Sequence, residues 1–353
     1  MKDRGTRGGA GIPYVPDATP EASIDPLLTD YIRRELEKIQ DYTQNSGDRL
    51  TAAELSVGRR NLLINGGFDV WQRGISFSAT AGTWQYTADR WVVNWSGASG
   101  TAQRITYAAG ASPPLKYAFH LNITTSDDYA SLSQRIENGN KYQGKTLTAS
   151  GYIRQIGDRT LYSRCYLWNK TKSENSSNGE LINITELLPS LGDFHQISWQ
   201  LKVPNILSTW LPGDDIVLIF VLGDSLDDKS TDPWSFSIFN AQLEEGERAT
   251  PFEMLPIGET VELCKRYFQA TLSPTVCFQG YVANGGTYST FAPFGVTMRA
   301  TPAVSTQNVT TLNAFPNSFI IQPLPNGARF AAVANASSSS GYFLCGYQAD
   351  AEI

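Results

Sequence analysis

The chain has 353 residues, a formal net charge of −6 and only 18% charged residues. The acidic balance argues against a nucleic-acid-binding protein, because such proteins normally present a basic face. The longest purely apolar run, Ile216–Leu222, is far shorter than the roughly 20 residues that span a bilayer, and the N-terminal residues lack the apolar core of a signal peptide.

Residues 1–25 are rich in glycine and proline and show no hydrophobic period. A segment of this kind cannot bury enough apolar surface to fold alone. Two interpretations stay open, an unstructured tail and an extended anchor peptide that becomes ordered on docking to another protein. The residues that would carry such anchoring are Ile12, Pro13, Tyr14, Val15 and Pro16.

Residues 26–58 are predicted to form a short helix and a linker. Asp25 can cap the free N–H groups of the first turn, and Pro26 suits the first helical position. A helix of about 18 residues is marginal in isolation, so its apolar stripe must pack against its own domain or against copies of itself. We favour self-association in a short coiled coil, because the preceding sequence offers no core. The stripe consists of Leu28, Ile32, Leu36 and Ile39.

Residues 59–256 read as β-structure. About eight strand-like runs recur with turn-forming residues between them, and several alternate apolar and polar residues, as in an antiparallel β-sandwich of jelly-roll type. The run around Ile216–Leu222 is continuously apolar and predicts a central strand that is buried on both faces. The segment Glu259–Gln269 is predicted to be a short helix or strand that joins this domain to a second, smaller β-domain.

Residues 257–353 are predicted to form a C-terminal β oligomerisation domain. Between Tyr267 and Ala349 the only charged residues are Arg299 and Arg329. A monomeric domain with so few charges would be poorly soluble. We therefore expect sister subunits to cover much of its surface.

Few residues are suited to catalysis or metal binding. The chain has two histidines, His120 and His195, and both fall in probable strands without a nucleophile motif. The acidic doublets lie next to turn-forming residues, so turns explain Asp127, Asp214 and Asp227 better than calcium binding does. The four cysteines are widely spaced and predicted to be buried free thiols. No cofactor, metal site or catalytic residue is predicted.

The eight tryptophans raise the possibility of sugar binding, because sugars are commonly held by aromatic faces. Trp71 and Trp91 are interpreted as core supports, and Arg90 is expected to pair with a carboxylate. Core packing is also open for the three tryptophans that adjoin turn-forming residues, but these are the better candidates for an exposed glycan platform. They are Trp95, Trp210 and Trp234.

Two stretches resemble segments of tailed-phage virion appendages, such as tail fibres and head fibres. Asn61–Trp91 opens NLLINGGFDVWQRG and closes ADRW, and Ser237–Gln269 reads SIFNAQLEEGERATPFEMLPIGETVELCKRYFQ. In those proteins such stretches bracket a jelly-roll similar to carbohydrate-binding modules. The likeness covers roughly residues 59–256 and continues more loosely to the C-terminus.

The resemblance implies a structural virion protein rather than an enzyme, assembled in the host cytoplasm. We expect a homotrimer whose N-terminal arm binds other virion proteins and whose jelly-roll binds a host-surface glycan, without nucleic acid or membrane insertion. One alternative is a head fibre, decoration protein or tail adaptor that binds no glycan. Another is a tail-associated depolymerase, although no internal repeat indicates the β-helix of such enzymes.

Overall fold

The computed structural model describes residues 59–107, 116–177, 179–224, 233–312, 315 and 319–352. The five proposed anchoring residues, the apolar stripe of the N-terminal helix and Asp227 lie outside these ranges. From Arg60 onward the chain forms one compact unit. Within the described ranges, no helix has both the length and the apolarity needed to cross a membrane.

The first part of this unit is entirely antiparallel β-structure, as predicted. Its eleven described strands are β1 (Ser76–Ser78), β2 (Thr83–Tyr86), β3 (Trp91–Thr106), β4 (Tyr117–Ile136), β5 (Thr146–Ile156), β6 (Leu161–Asn169), β7 (Glu174–Asn175), β8 (Ile182–Asn183), β9 (His195–Lys202), β10 (Ile216–Asp224) and β11 (Trp234–Glu245). Two single-turn 3-10 helices interrupt them, Gly139–Tyr142 and Thr185–Leu187.

Two long strands, β3 and β4, run through both layers of a curled sandwich. The first layer has the order β1-β3-β4-β11-β5-β9, and the second has the order β2-β3-β4-β10-β6, with β7 and β8 paired to β6. Residues 119–123 of β4 pair with β11, whereas residues 131–136 pair with β10. This topology confirms the predicted β-sandwich.

Strand alternation explains the core between the layers. Trp91 and Phe119 are completely buried there, and Phe220 and Phe236 are 1% exposed. Strand β10 lies between β6 and β4. Its Phe220 faces the main core, whereas Ile219 belongs to a second apolar cluster on the outer side. The predicted central strand that is buried on both faces is therefore confirmed.

The second part of the unit begins with the one α-helix in the described ranges. The segment predicted as helix or strand is therefore a helix followed by a strand. Two small antiparallel sheets follow, ordered β12-β17-β14 and β13-β16-β15, and enclose their own apolar core. The elements are α1 (Ile257–Lys265), β12 (Phe268–Val282), β13 (Thr287–Pro293), β14 (Ala303–Leu312), β15 (Ile320–Leu324), β16 (Gly327–Val333) and β17 (Ser338–Asp350).

Asparagine side chains of the first motif form hydrogen bonds with backbone groups that lack a backbone partner. The Asn61 side-chain oxygen accepts the N–H groups of Leu63 and Leu243 at 3.0 and 3.1 Å, and its amide donates to the Ala241 carbonyl at 3.0 Å. Buried backbone groups need such partners, because an unpaired one costs free energy comparable to a lost hydrogen bond. The motif is thereby joined to β11, which contains the start of the second motif.

The tryptophans of the first motif support the core, as predicted. Trp91 Nε1 donates to the Asn65 carbonyl at 3.0 Å, and Trp71 Nε1 donates to the Phe68 carbonyl at 2.7 Å. Phe68 packs against Trp91 with ring centroids 5.0 Å apart. These contacts hold the Asn-Gly-Gly turn and the start of β3 together.

The two motif arginines connect the sandwich to the C-terminal sheets. The Arg90 guanidinium forms an ion pair with Glu352, donates to the Arg135 carbonyl at 2.5 Å and lies 3.5 Å from the Tyr267 ring centroid. The side chains of Arg90 and Glu352 are only 1% and 4% exposed. The expected pairing of Arg90 with a carboxylate is confirmed.

Arg73 reinforces the same connection. Its guanidinium lies 3.1 Å from the Asp350 carboxylate, 3.4 Å from the Glu352 carboxylate and 3.5 Å from the Phe268 ring centroid. The predicted domain boundary after residue 256 coincides with the start of α1, but independent folding of the two parts stays a prediction.

Candidate functional site

The three tryptophans predicted as an exposed platform are buried. Trp95 is 0%, Trp234 2% and Trp210 6% exposed, and all three belong to the main core. Two indole N–H groups have internal acceptors, since Trp95 donates to Gln85 at 2.9 Å and Trp210 donates to Glu174 at 3.1 Å. The platform prediction is wrong for these residues, because strand alternation and loop packing outweigh their proximity to turns.

A different set of aromatic and polar side chains lies on the outer surface of the first layer. In β5 and β11 the core positions alternate with outward positions, and the outward side of β11 carries two buried serines and a phenylalanine. We call this surface the β11 face. Its residues are Gln103, Tyr107, His120, Asn122, Tyr152, Arg154, Phe194, Ser235, Ser237 and Phe239.

Strand register places four polar residues of the β11 face in one row. Gln103 of β3 is opposite His120 of β4, His120 is opposite Ser237 of β11, and Ser237 is opposite Arg154 of β5. Opposed residues in antiparallel strands project to the same side of the sheet. Serine is the smallest side chain in the row, and the larger residues on either side cover Ser237, which is only 2% exposed.

Four aromatic rings lie beside this row of polar residues. Tyr152 stacks on Phe239 with centroids 4.5 Å apart and planes 12° apart. Phe194 meets Phe239 edge-on at 5.2 Å, and Tyr107 meets Phe194 edge-on at 5.7 Å. Phe239 is buried beneath the others, whereas the other three rings are partly exposed. The contacts fix the orientation of rings that still reach solvent.

The polar groups of the face are held by specific hydrogen bonds. His120 Nδ1 and Ser237 Oγ are 2.9 Å apart, and Tyr152 Oη donates to Gln196 Oε1 at 3.0 Å. Arg154 Nε donates to the Gly192 carbonyl at 2.6 Å. Burial lowers the pKa of His120 below its ordinary value, and the positive charge of Arg154 lowers it further. His120 is therefore neutral at physiological pH.

The outer surface of the second layer is arranged differently. Trp84 is 47% exposed there. The Arg135 guanidinium carbon lies 5.1 Å from the Trp84 ring centroid and 5.1 Å from that of Trp168. Tyr267 packs against β10 residues of this surface and covers part of it. Trp84 is exposed, whereas the aromatic residues of the β11 face are half-buried or buried.

The remaining histidine and aspartate candidates lie in strands or in a turn. His195 lies in β9 and contacts Ser190 Oγ at 2.9 Å. Asp214 lies in a turn, as predicted, and the Leu211 N–H, Asn169 and Lys172 lower its pKa. Asp127 lies within β4 instead, where the register with β3 shifts, so the turn prediction is wrong there. Within the described ranges, no cluster of His, Cys, Asp and Glu could hold a metal ion.

The cysteines follow the prediction with one exception. All four are free, and Cys165, Cys264 and Cys345 are buried. Burial raises the pKa of the Cys345 thiol to about 11, which keeps it protonated and unreactive. Cys277 is exposed because it occupies an outward position of β12.

The β11 face has the composition expected of a surface that binds sugars. The apolar C–H face of a sugar ring can stack on Tyr152 and its neighbours, while hydroxyls bond to nearby amide, imidazole and hydroxyl groups. Sequence reasoning missed these residues because it assessed only tryptophans. Tyr152 and Phe239 occupy the outward positions of strands whose inward positions are regularly apolar, and this alternation is visible in the sequence.

Comparisons with known proteins give no family. No protein-family model and no curated protein matches the chain. Among solved structures, the enzymatically active domain of tailspike protein 4 from bacteriophage CBA120 is 12% identical, with a TM-score of 0.31. The match covers 53% of this chain but only 22% of the tailspike chain.

Two further matches are carbohydrate-binding modules. The family 11 module of the cellulosomal cellulase Lic26A-Cel5E from Clostridium thermocellum is 12% identical, with a TM-score of 0.30, and the match covers 49% of this chain and 100% of the module. The CBM22-1 xylan-binding domain of Xyn10C from Paenibacillus barcinonensis is 11% identical, with a TM-score of 0.27. This match covers 48% of this chain and 99% of that domain. TM-scores this low do not establish a relationship.

Proposed function

We propose that this protein is a carbohydrate-binding component of a tailed-phage virion appendage and attaches the particle to a host-surface glycan. The observation that carries the glycan part is the β11 face, where partly exposed aromatic rings adjoin a row of hydrogen-bonding side chains. Stacking on Tyr152 positions a sugar ring, and the row from Gln103 to Arg154 supplies partners for its hydroxyls. The proposed role is binding without bond cleavage.

The virion part rests on the two sequence motifs. Asn61–Trp91 and Ser237–Gln269 resemble phage appendage proteins, and residues 1–25 have the composition of an anchor peptide. In this proposal the arm attaches the protein to other virion proteins. Deletion of residues 1–25 should leave a folded protein that no longer joins particles.

Self-association would strengthen weak attachment. The outer side of the β13-β16-β15 sheet exposes apolar side chains, and its one charged residue in the described ranges, Arg329, donates to Ser289 at 3.0 Å. An exposed apolar surface of this kind is typical of an interface. We propose that a sister subunit covers it, giving a homotrimer in which several glycan sites act together. The exposed residues are Phe291, Ile320, Leu324 and Val333.

Glycan-array binding followed by titration calorimetry tests the glycan part. We expect wild-type protein to bind one or more oligosaccharides and Tyr152→Ala to weaken that binding about tenfold or more, because stacked aromatic contacts contribute about 1 kcal/mol beyond their burial. Trp84→Ala is the control, since it removes an exposed aromatic ring from the opposite outer surface.

Two results would contradict the proposal. Absence of binding to any host glycan would favour the adaptor or decoration alternative, and loss of binding in Trp84→Ala alone would move the site to the second layer. Release of reducing sugars from a bound polysaccharide would support the depolymerase alternative instead.

A further inference from the structure

We propose that the ligand of the β11 face is an acidic glycan, whose anionic group is bound by Arg154. This inference rests on the proposed glycan-binding function and specifies the chemical class of the sugar. An anionic group on a sugar is a carboxylate, as in uronic and sialic acids, or a sulfate or phosphate ester.

The first observation concerns the free capacity of Arg154. Its Nε donates a hydrogen bond to the Gly192 carbonyl. Within the described ranges, its guanidinium makes no other hydrogen bond. No carboxylate in those ranges lies within ion-pair distance of it, whereas Arg73 and Arg90 pair with Glu352. The two terminal nitrogens of Arg154 therefore keep the planar fork that binds carboxylate, sulfate or phosphate through two parallel bonds.

The second observation concerns where this cation lies. Arg154 is half-buried and lies opposite Ser237, which is only 2% exposed beneath its larger neighbours. His120 lies on the other side of Ser237. An anion would therefore approach Arg154 from the solvent side, above this row of polar residues. A ligand could not reach Arg90 in this way, because Glu352 and Tyr267 enclose its guanidinium.

The third observation is the distribution of negative charge. The whole chain carries a net charge of −6 and would repel an anionic polymer on average. The acidic residues of β11 lie at the far end of that strand and are engaged. Glu244 accepts the Thr250 N–H at 2.7 Å, and Glu245 pairs with Lys145 at 2.7 Å. The acidic residues of β11 therefore do not neutralise Arg154.

Matched glycan probes test the inference. Binding is measured for oligogalacturonate and sialylated oligosaccharides, for their carboxyl-reduced neutral counterparts, and for neutral oligosaccharides of equal length. We expect an acidic probe to bind best and carboxyl reduction to weaken its binding about tenfold or more. Raising NaCl from 50 to 300 mM should also weaken binding of the acidic probe, because salt screens charge pairs.

Variants then locate the effect. Arg154→Gln should remove both the preference for the acidic probe and the salt dependence, while leaving the weaker binding that the neutral counterpart shows. Arg164→Gln is the matched control, because it removes the same charge from β6 on the opposite outer surface. Tyr152→Ala should weaken acidic and neutral probes alike.

The outcomes separate the two proposals. If neutral probes bind as tightly as acidic ones, or if Arg154→Gln keeps the acidic preference, this inference is overturned while glycan binding stands. If no probe of either class binds, or if Tyr152→Ala leaves binding unchanged, the proposed function fails and this inference fails with it.

Discussion

Arg90 is buried at the junction between the sandwich and the C-terminal sheets, and its backbone adopts the left-handed region with φ of 73°. Few non-glycine residues adopt this conformation, because the Cβ atom is crowded there. The conformation aims the guanidinium at Glu352 and at the Tyr267 ring. One residue of the ADRW motif therefore carries backbone strain and a buried charge, and both depend on partners in the second part of the chain.

We expect Glu352→Gln to lower the free energy of unfolding by about 3–5 kcal/mol, because it leaves the Arg90 charge buried without a carboxylate. Urea denaturation followed by tryptophan fluorescence measures the change. The control is Glu245→Gln, which breaks an ion pair whose side chains are 45% and 49% exposed. That variant should change stability by less than about 1 kcal/mol. Equal effects of the two variants would contradict the assigned role of Glu352.

His120 predicts a dependence of stability on pH. Because burial and Arg154 lower its pKa in the folded state, the unfolded state binds more protons at mildly acidic pH. The contribution of neutral His120 is complete above the unfolded pKa of about 6.5 and is lost as pH falls through the folded pKa.

Thermal unfolding at pH 7.5 and pH 5 measures this effect. His120→Gln should lose less stability than the wild type between these two values. An identical loss in both proteins would show that other groups cause the dependence.

At the scale of elements, the Asn-Gly-Gly turn is fitted against β11. A Cβ atom on Gly66 would lie 2.0 Å from the Ala241 carbonyl oxygen, and the Ala241 N–H donates to the Gly66 carbonyl at 2.9 Å. Only glycine allows the turn and the strand to approach this closely. The turn therefore needs glycine for packing, although the φ of Gly66 is ordinary.

Gly66→Ala should lower the free energy of unfolding by about 1–3 kcal/mol or prevent folding, because the backbone has to move apart. Thermal denaturation provides the measurement. Gly213→Ala is the control, since a Cβ atom there meets nothing within 4 Å. A melting temperature for Gly66→Ala close to that of Gly213→Ala would contradict the packing described.

Much of this element structure could be predicted from sequence. Alternation predicts most strands, and the continuous apolar run predicts that β10 is a central strand buried on both faces. The site could not be predicted in the same way. Tyr152 and Phe239 belong to strands β5 and β11, which are separated in the sequence by the five strands β6 to β10. Their contact follows from the order of strands in the sheet, which local sequence patterns do not specify. Trp95 adjoins turn-forming residues in the sequence, but it lies within β3 and is completely buried.

At the scale of the whole molecule, the C-terminal sheets combine few charges with exposed apolar side chains. Ile320 and Phe291 are 55% and 48% exposed on the same sheet face. Such a surface in a soluble protein is expected to be covered by a partner. The proposed helix stripe from Leu28 to Ile39 would add a second contact between copies.

Light scattering at micromolar concentration should therefore give the mass of a multimer, with three chains expected. Ile320→Lys should shift the protein toward single chains, because it places a charge in the proposed interface. Ile75→Lys is the control, as Ile75 is 51% exposed but belongs to the sandwich. A wild-type mass equal to one chain would refute self-association through this face.

The pairing of Arg90 with Glu352 joins residues that are 262 positions apart. During synthesis the ADRW motif leaves the ribosome long before its carboxylate partner has been translated. A nascent sandwich therefore has an uncompensated cation at its edge, and proteolytic removal of the residues that follow β17 would leave that cation without its carboxylate in the folded protein.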